Sequence, residues 1–148
     1  MSLRENMIAT AKQWIKAHND RNATGEAGIT SFAAPDFVAR SFPSSLQAPD
    51  RNCEEYAAFQ SWAFTLLDTY SATEVDMVVD ETQRKVVYYL NAKGTAPAGE
   101  YKNEYIQKLT LTEDGKLIKE FDAFVDSQAM VTWMGKAQAA QGAKEQGK

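Results

Sequence analysis

The chain has few of the residues that disulfide-stabilised, metal-binding or membrane-spanning proteins require. Its 148 residues include one cysteine and one histidine. Cys53 alone excludes an internal disulfide, and one histidine with one cysteine makes no transition-metal site, so no metal is expected. No apolar run approaches the roughly 20 residues of a membrane span. The charged first residues lack the apolar stretch of a signal peptide, and we therefore expect a cytoplasmic protein.

Basic runs with interleaved aromatic residues are also missing. The net charge is −4 and the pI is near 5.0. Both features argue against nucleic acid or an anionic membrane as a partner. The content of 44% hydrophobic and 24% charged residues is that of a globular protein. At this length we expect one domain over residues 1–140, followed by a polar tail over 141–148.

The segment 101–127 carries the strongest structural signal. Its sequence is YKNEYIQKLTLTEDGKLIKEFDAFVDS, two strands joined at Asp114-Gly115, a dipeptide typical of tight hairpins. A two-residue loop pairs Leu111 with Ile118. It places on one sheet face Leu109, Gln107, Tyr105 and Asn103 opposite Glu120, Asp122, Phe124 and Asp126. This face is neither wholly apolar nor wholly polar, and we expect it to line a small-molecule pocket, since such pockets are mostly apolar with a few placed polar groups. A three-residue loop with a bulge would shift the register by one residue and exchange the faces.

The other elements follow from periodicity and capping signals. Apolar residues at three- and four-residue spacing predict an amphipathic first helix that presents Trp14 and His18 one turn apart. Asn52 with Glu55 is close to a capping box and starts a long helix. The predicted elements are helices over 3–21 and 26–32, a strand over 36–46, a helix over 52–70, strands over 74–80 and 85–93, the hairpin, and a helix from 126 or 127. Helices on one side of a curved antiparallel sheet give an α+β architecture with a cavity on the concave side.

This order, with the motifs YKNEY at 101–105, EDGK at 113–116 and FVDS at 124–127, resembles the SnoaL-like branch of the nuclear transport factor 2-like cone fold. The resemblance extends from Trp14 to Trp133 and is greatest to small fungal members found beside secondary-metabolite pathways. It implies a cofactor-free, dimeric enzyme that isomerises, cyclises or dehydrates a polyketide or terpenoid intermediate by acid/base chemistry. The same fold also hosts binding proteins without catalysis.

The resemblance assigns roles to individual positions. Asp122 falls where SnoaL-type cyclases carry an aspartate on the last strand. Trp14 falls at the hydrogen-bonding tyrosine of ketosteroid isomerase and Gln107 at its buried acid, and both side chains can donate a hydrogen bond. The general base of that enzyme falls near Arg40, which is no carboxylate, so the ketosteroid reaction is not expected. Ala39 stands where many fungal members have a histidine, and a mechanism based on that histidine is not expected either.

Three residues are candidate catalysts: Asp122, Glu120 and His18. The two carboxylates alternate on one strand, so in a pocket their repulsion would favour protonation of one of them; on a solvent face both would be ordinary surface groups. His18 is the sole histidine, although a lone histidine on an apolar helix face is more often structural. Arg40 is expected to bind an anionic oxygen or to form a salt bridge with Asp36 or Glu120.

The hypothesis that results is a homodimer, joined through its outer sheet face, that acts on a hydrophobic, oxygenated small molecule without a cofactor. Asp122, with His18 or Glu120, moves a proton while polar neighbours stabilise an oxyanion. The predicted substrate-binding residues are Trp14, Arg40, Tyr56, Phe59, Asn103, Tyr105, Gln107, Phe124 and Trp133. The alternatives are a ligand-binding protein without chemistry and an interaction module whose cavity is filled by its own side chains.

Overall fold

Residues 1–146, which the computed structural model describes, form three α-helices and one five-stranded sheet. The elements are α1 (Leu3–Asn19), β1 (Ala33–Phe42), α2 (Cys53–Phe64), β2 (Thr69–Asp80), β3 (Lys85–Thr95), β4 (Tyr101–Leu111), β5 (Ile118–Val125) and α3 (Ser127–Gln146), with 3-10 helices at Ile29–Phe32 and Ser44–Leu46. The predicted α+β class is confirmed. α3 crosses residue 141, the predicted start of the polar tail, and residues 147–148 of that tail lie outside the described part. None of the described helices is long and apolar enough to cross a membrane.

The strand order in the sheet is β1-β5-β4-β3-β2. Strands β2 to β5 form the predicted antiparallel meander. β1 instead pairs parallel with β5, so the sheet is mixed and not wholly antiparallel. A parallel pair needs a long connection between its strands, and here α2 and three strands supply it.

The register between β4 and β5 differs from the prediction by one residue over most of its length. Leu111 pairs with Ile118 as expected, but a bulge at Lys119 then pairs Thr110 with Glu120 and Leu109 with Phe121. A one-residue shift turns every later side chain to the opposite face. Consequently, the inner face, which packs on the helices, receives the residues of β5 that were predicted to lie outside.

α1 packs across the inner face of the sheet and onto the β4–β5 turn. The Ser2 hydroxyl accepts a hydrogen bond from the Glu5 amide at 3.1 Å and caps the helix. Thr10 Oγ1 donates to the Gly115 carbonyl at 2.7 Å. Gly115 has φ +74°, and a Cβ there would lie 2.8 Å from Met7 Cγ, so the close helix–turn contact requires glycine. Buried Trp14 fixes the same helix against the middle of the sheet.

α2 begins where the sequence predicts and ends earlier. The capping box is present, with the Asn52 side chain accepting from the Glu55 amide at 2.8 Å and the Glu55 carboxylate accepting from the Asn52 amide at 2.9 Å. The helix ends at Phe64 and not near Tyr70, because the chain from Thr69 onward pairs with β3. Leu66, which extends the helical periodicity, is buried in the turn. Tyr70 thus moves from a helix face onto a strand.

Candidate functional site

A cavity of about 560 Å³ lies between the inner face of the sheet and the three helices. Sites for small molecules range from roughly 300 to 1,000 Å³. The apolar wall includes Phe59, Leu66, Phe121, Val125, Met130 and Trp133. The neutral polar residues that line it are His18, Ser41, Tyr56, Gln60, Tyr70, Tyr101, Tyr105, Gln107 and Gln138. A shallower depression of about 330 Å³ at the start of α3 carries mainly charged residues and is open to solvent, so the larger cavity is the candidate site.

The two carboxylates predicted to be catalytic do not line this cavity. Phe121 and Ala123 of β5 line it, whereas Asp122 and Glu120 lie on the outer face of the sheet. The prediction that β5 turns its carboxylates inward is wrong, because the bulge at Lys119 reverses the faces. The catalytic role predicted for Asp122 required its carboxylate to face the cavity, which it does not.

On the outer face, Asp122 belongs to an ion-pair cluster. Its carboxylate lies 3.3 Å from Arg40 Nη1 and 3.4 Å from Lys108 Nζ. Arg40 also lies 3.6 Å from Glu120 and 3.9 Å from Asp50. The predicted alternative of a salt bridge between Arg40 and Glu120 is therefore present, while Asp36, the other predicted partner, pairs with Lys119. Although Arg40 contributes to the cavity wall, its guanidinium is held by carboxylates outside it.

His18 does line the cavity, and its hydrogen bonds define its tautomer. Nδ1 lies 2.8 Å from the Trp14 carbonyl, and Nε2 lies 2.7 Å from the Tyr56 hydroxyl. A carbonyl can only accept, so Nδ1 carries the proton and, in the neutral ring, Nε2 accepts the proton of Tyr56. The Gln60 amide donates to the Tyr56 oxygen at 3.1 Å. The hydrogen bonds therefore all point in one direction, with Gln60 donating to Tyr56 and Tyr56 donating to His18.

Burial controls the protonation states of His18 and Tyr56. Desolvation lowers the pKa of His18 from 6.5 to about 4, opposed by the hydrogen bond to Trp14. Desolvation also raises the pKa of Tyr56 well above its ordinary value of 10. Both side chains are therefore neutral near pH 7, when His18 has an unprotonated Nε2 ready to accept a proton.

Three further phenols form a second polar cluster on the same cavity wall. The Tyr105 hydroxyl contacts the hydroxyls of Tyr101 and Tyr70. Burial is the main cause that raises the pKa of each of the three, so all three stay protonated at neutral pH. The hydrogen bond between Tyr101 and Tyr105 uses one of their two hydroxyl protons and leaves the other for another acceptor. The indole of Trp133 stacks on Tyr101 with ring centroids 4.9 Å apart.

The structure separates the predicted substrate-binding residues into three groups. Those that line the cavity are Arg40, Tyr56, Phe59, Tyr105, Gln107 and Trp133. Trp14 is 1% exposed and packs beneath Tyr56 and Phe121 as a core residue. Asn103 is buried, but its side-chain oxygen accepts from the Asp126 amide at 3.0 Å, which fixes the end of β5. Phe124 is 52% exposed on the outer face, so its predicted place in the pocket is wrong.

Sequence reasoning missed several polar residues of the cavity. Tyr101 lies four residues before Tyr105 on β4 and therefore on the same face, a signal that was available. Gln60 lies one turn after Tyr56 on α2, which equally places the two side chains together. Tyr70 was missed because the predicted helix extended too far. Arg51 lies in the loop before α2, where no periodicity indicates its direction.

The described residues contain no group of three or more His, Cys, Asp or Glu side chains that could hold a metal ion.

No protein-family model matches the chain. Individual relatives and structures do. The chain is 30% identical over 145 residues to austinoid biosynthesis cluster protein H of Aspergillus calidoustus, covering 92% of this chain and 93% of that protein.

Solved structures match the fold over most of its length. The pinacolase BvnE of Penicillium brevicompactum superposes with a TM-score of 0.85 at 30% identity, covering 95% of this chain and 99% of BvnE. A SnoaL-like protein of Shewanella denitrificans superposes with a TM-score of 0.71 at 13% identity, covering 87% and 96%, which shows the fold alone. The chain belongs to the SnoaL-like family of fungal secondary-metabolism cluster proteins that includes austinoid cluster protein H.

Proposed function

We propose that the chain is a cofactor-independent isomerase of a hydroxylated, mainly apolar intermediate of fungal secondary metabolism. Tyr56 and His18 are its proton-transfer pair. The observation that carries the proposal is the directional hydrogen-bond chain from Gln60 through Tyr56 to His18 on the wall of an otherwise largely apolar cavity. Such a chain can move a proton without a metal or a cofactor.

The pair acts as a general-base relay. The Tyr56 oxygen accepts from Gln60 and keeps a second lone pair for a substrate hydroxyl. When that hydroxyl passes its proton to Tyr56, Tyr56 passes its own proton to His18 Nε2. The imidazolium that results is costly in a buried site, but the substrate alkoxide formed at the same time offsets this cost by its opposite charge.

The reaction class is an α-ketol rearrangement, a base-driven 1,2-shift of an α-hydroxyketone that is related to the pinacol rearrangement. The relative BvnE is named a pinacolase. The alkoxide becomes a carbonyl as one carbon–carbon bond breaks, and the electron pair of that bond joins the migrating carbon to the neighbouring carbonyl carbon. The former carbonyl oxygen becomes the new alkoxide and takes the proton back from His18 through Tyr56. Substrate and product are isomers, so no oxidant or reductant is needed.

The cluster of Tyr70, Tyr101 and Tyr105 donates a hydrogen bond to the substrate oxygen on which negative charge develops. Its free hydroxyl proton lies at the wall of a mainly apolar cavity, where a hydrogen bond to an oxyanion is stronger than in solution. Since burial keeps these phenols neutral, they act as donors and do not compete for the proton that His18 receives.

Turnover of accumulated pathway intermediates tests the proposal. Purified protein is incubated with the organic extract of a strain that lacks its gene, and mass spectrometry follows each intermediate. The wild type should convert one intermediate into an isomer of equal mass. Tyr56→Phe, which removes only the hydroxyl, should slow this conversion by about 100-fold or more.

Tyr89→Phe is the matched control, because Tyr89 is exposed on the outer face and should not affect turnover. Return of every intermediate unaltered by the wild type would instead favour a ligand-binding protein with the same pocket. Equal turnover by wild type and Tyr56→Phe would remove Tyr56 from the mechanism.

We also propose that a second copy of the chain covers the outer apolar row, which consists of Phe42, Phe124, Ile106 and Tyr89. Strand pairing aligns these four exposed residues across β1, β5, β4 and β3. Charges of both signs from Arg40, Lys108, Asp122 and Glu120 flank the row, so the surface can pair with itself.

Sedimentation at micromolar concentration tests this dimer. Ile106→Lys places a charge in the middle of the row and should give monomers, because an unpaired charge is poorly tolerated in a buried interface. Val131→Lys, at a more exposed apolar position on α3, should leave the wild-type dimer intact. A monomeric wild type would contradict the proposal.

A further inference from the structure

Arg51 is held at the cavity wall by its backbone. Its amide donates to the Ala39 carbonyl at 3.0 Å, and its carbonyl accepts from the Ala39 amide at 2.8 Å. Its guanidinium lies 3.9 Å from the centroid of the Phe59 ring, a cation–π contact. The backbone bridge fixes the origin of the side chain, and the ring supports its planar face while leaving the N–H groups at its edge for another partner.

Arg51 differs from Arg40 in having no acidic partner. Within the described part of the chain, no carboxylate lies within 4.0 Å of the Arg51 guanidinium, and its side chain forms no hydrogen bond, whereas Arg40 has three carboxylate neighbours. Arg51 is nevertheless half-buried. A half-buried guanidinium without a counter-charge is an expected binding point for an anion, since it is permanently charged and presents five donors.

The charge of the cavity wall is opposite to that of the whole chain. The described lining residues include no aspartate or glutamate, although the chain carries a net charge of −4. Their charged members are Arg51 and Arg40, and the guanidinium of Arg40 is held outside the cavity by carboxylates. Burial raises the pKa of the Tyr56 phenol, and the positive charge of Arg51 opposes this effect to a smaller extent. The charge of Arg51 is therefore felt at Tyr56. An anionic group near Arg51 would therefore lie in the same space as the proton-transfer pair.

We propose that Arg51 binds an anionic oxygen group of the substrate, a carboxylate or an enolate, so that the substrate is an acidic apolar molecule. This inference rests on the proposed function only in that the cavity holds the substrate. The apolar body of the molecule fills the cavity, and the anion lies beside Phe59 with its charge neutralised by Arg51.

A pair of fluorescent probes that differ by one charge tests the inference on the purified protein. 1-Anilinonaphthalene-8-sulfonate is an anion, and N-phenyl-1-naphthylamine is the same molecule without its sulfonate. The wild type should bind the anion more tightly. Arg51→Gln should weaken binding of the anion by about tenfold, the effect of losing one charge-assisted contact, and leave the neutral probe unchanged.

Two controls separate this effect from others. Arg4→Gln removes the same charge at a surface pair with Glu81, remote from the cavity, and should bind both probes as the wild type does. Phe124→Gln alters the outer apolar row, and unchanged binding there places the probes in the cavity. Circular dichroism checks that each variant is folded.

Each outcome has a defined meaning. Selective loss of the anion in Arg51→Gln, with both controls unchanged, supports the inference. Unchanged anion binding, or an equal loss in Arg4→Gln, overturns it and leaves the proposed isomerase intact. Failure of the wild type to bind either probe counts against the cavity as a ligand site, and therefore against both proposals.

Discussion

The two faces of β5 divide the chemistry of this protein. Phe121, Ala123 and Val125 face the cavity, while Glu120 and Asp122 face outward. The inner face is shared with neutral polar groups, an imidazole and several phenols, and the outer face with permanent charges in ion pairs. β5 therefore keeps its carboxylates outside, and neutral acids and bases line the cavity.

Desolvation explains this division. A carboxylate inside the cavity would need a cation or several donors to offset the loss of hydration, whereas a phenol or a neutral imidazole needs only one or two hydrogen bonds. Asp122 is itself largely covered, with 17% of its side chain exposed, and it has two cationic neighbours. His18 has no ion-pair partner among residues 1–146, and its lowered pKa keeps it uncharged instead.

The largest effect that tests the comparison is on stability. Phe121 and Phe124 are the same residue type on the same strand, with 3% and 52% exposure. Phe121→Ala should lower the free energy of unfolding by about 3–5 kcal/mol, because it leaves a cavity in a packed core. Phe124→Ala should cost less than about 1 kcal/mol in the monomer. Urea unfolding followed by circular dichroism measures both.

Protein concentration sharpens this test. If the outer apolar row is a dimer interface, the cost of Phe124→Ala should grow with concentration while that of Phe121→Ala does not, since only dimer stability depends on concentration. Equal costs for the two variants at low concentration would mean that the assigned faces of β5 are incorrect.

A smaller effect concerns pH. His18 has a pKa of about 4 in the folded protein and about 6.5 when unfolded. Between these values the unfolded chain binds more protons, so the contribution of His18 is fully present above pH 6.5 and is lost as the pH falls toward 4. The loss between pH 7 and pH 5 should be about 2 kcal/mol. Urea unfolding at both pH values measures it.

His18→Gln supplies the reference for this measurement, because the variant retains every carboxylate of the wild type. The wild type should lose more stability than His18→Gln over the same pH interval. Equal losses would show that the His18 ring is well hydrated in the folded protein, and the relay would then lack the desolvated base on which it depends.

Most of the fold could be predicted from local signals. The periodicity of α1 and the capping box of α2 depend on neighbouring residues only, and each is present. The hairpin predicted at Asp114-Gly115 is also present, but its connection is longer than two residues, and its turn is closed by the Gly115 amide donating to the Thr112 carbonyl at 2.8 Å. The end of α2 could not be located in this way, because it is decided by pairing of β2 with β3, a contact between distant segments. Because the helical spacing of apolar residues continues to Leu66, no local sign in the sequence indicates that strand pairing ends the helix earlier.

Which side chains of β5 face the site depended on a single extra residue, the bulge at Lys119. Ile118 and Phe121 are both buried and lie three residues apart, with Lys119 and Glu120 between them. Strict alternation cannot place both apolar side chains on one face, so this spacing was itself a signal of the bulge. Tyr105 and Gln107 were assigned to the correct face because β4 alternates regularly, whereas contacts between helices, such as that of His18 with Tyr56, have no local signature.

The smallest expected effect comes from the residue that sequence reasoning favoured most. Asp122→Asn removes a charge from the outer face, where Arg40 keeps Glu120 and Asp50 as partners. It should cost about 1 kcal/mol of stability or less and leave turnover and probe binding close to wild type, because the carboxylate does not reach the cavity. The assay is the extract conversion used for Tyr56→Phe. Loss of turnover in a folded Asp122→Asn protein would overturn the division between the two faces, since it would require the outer ion-pair cluster to take part in the reaction.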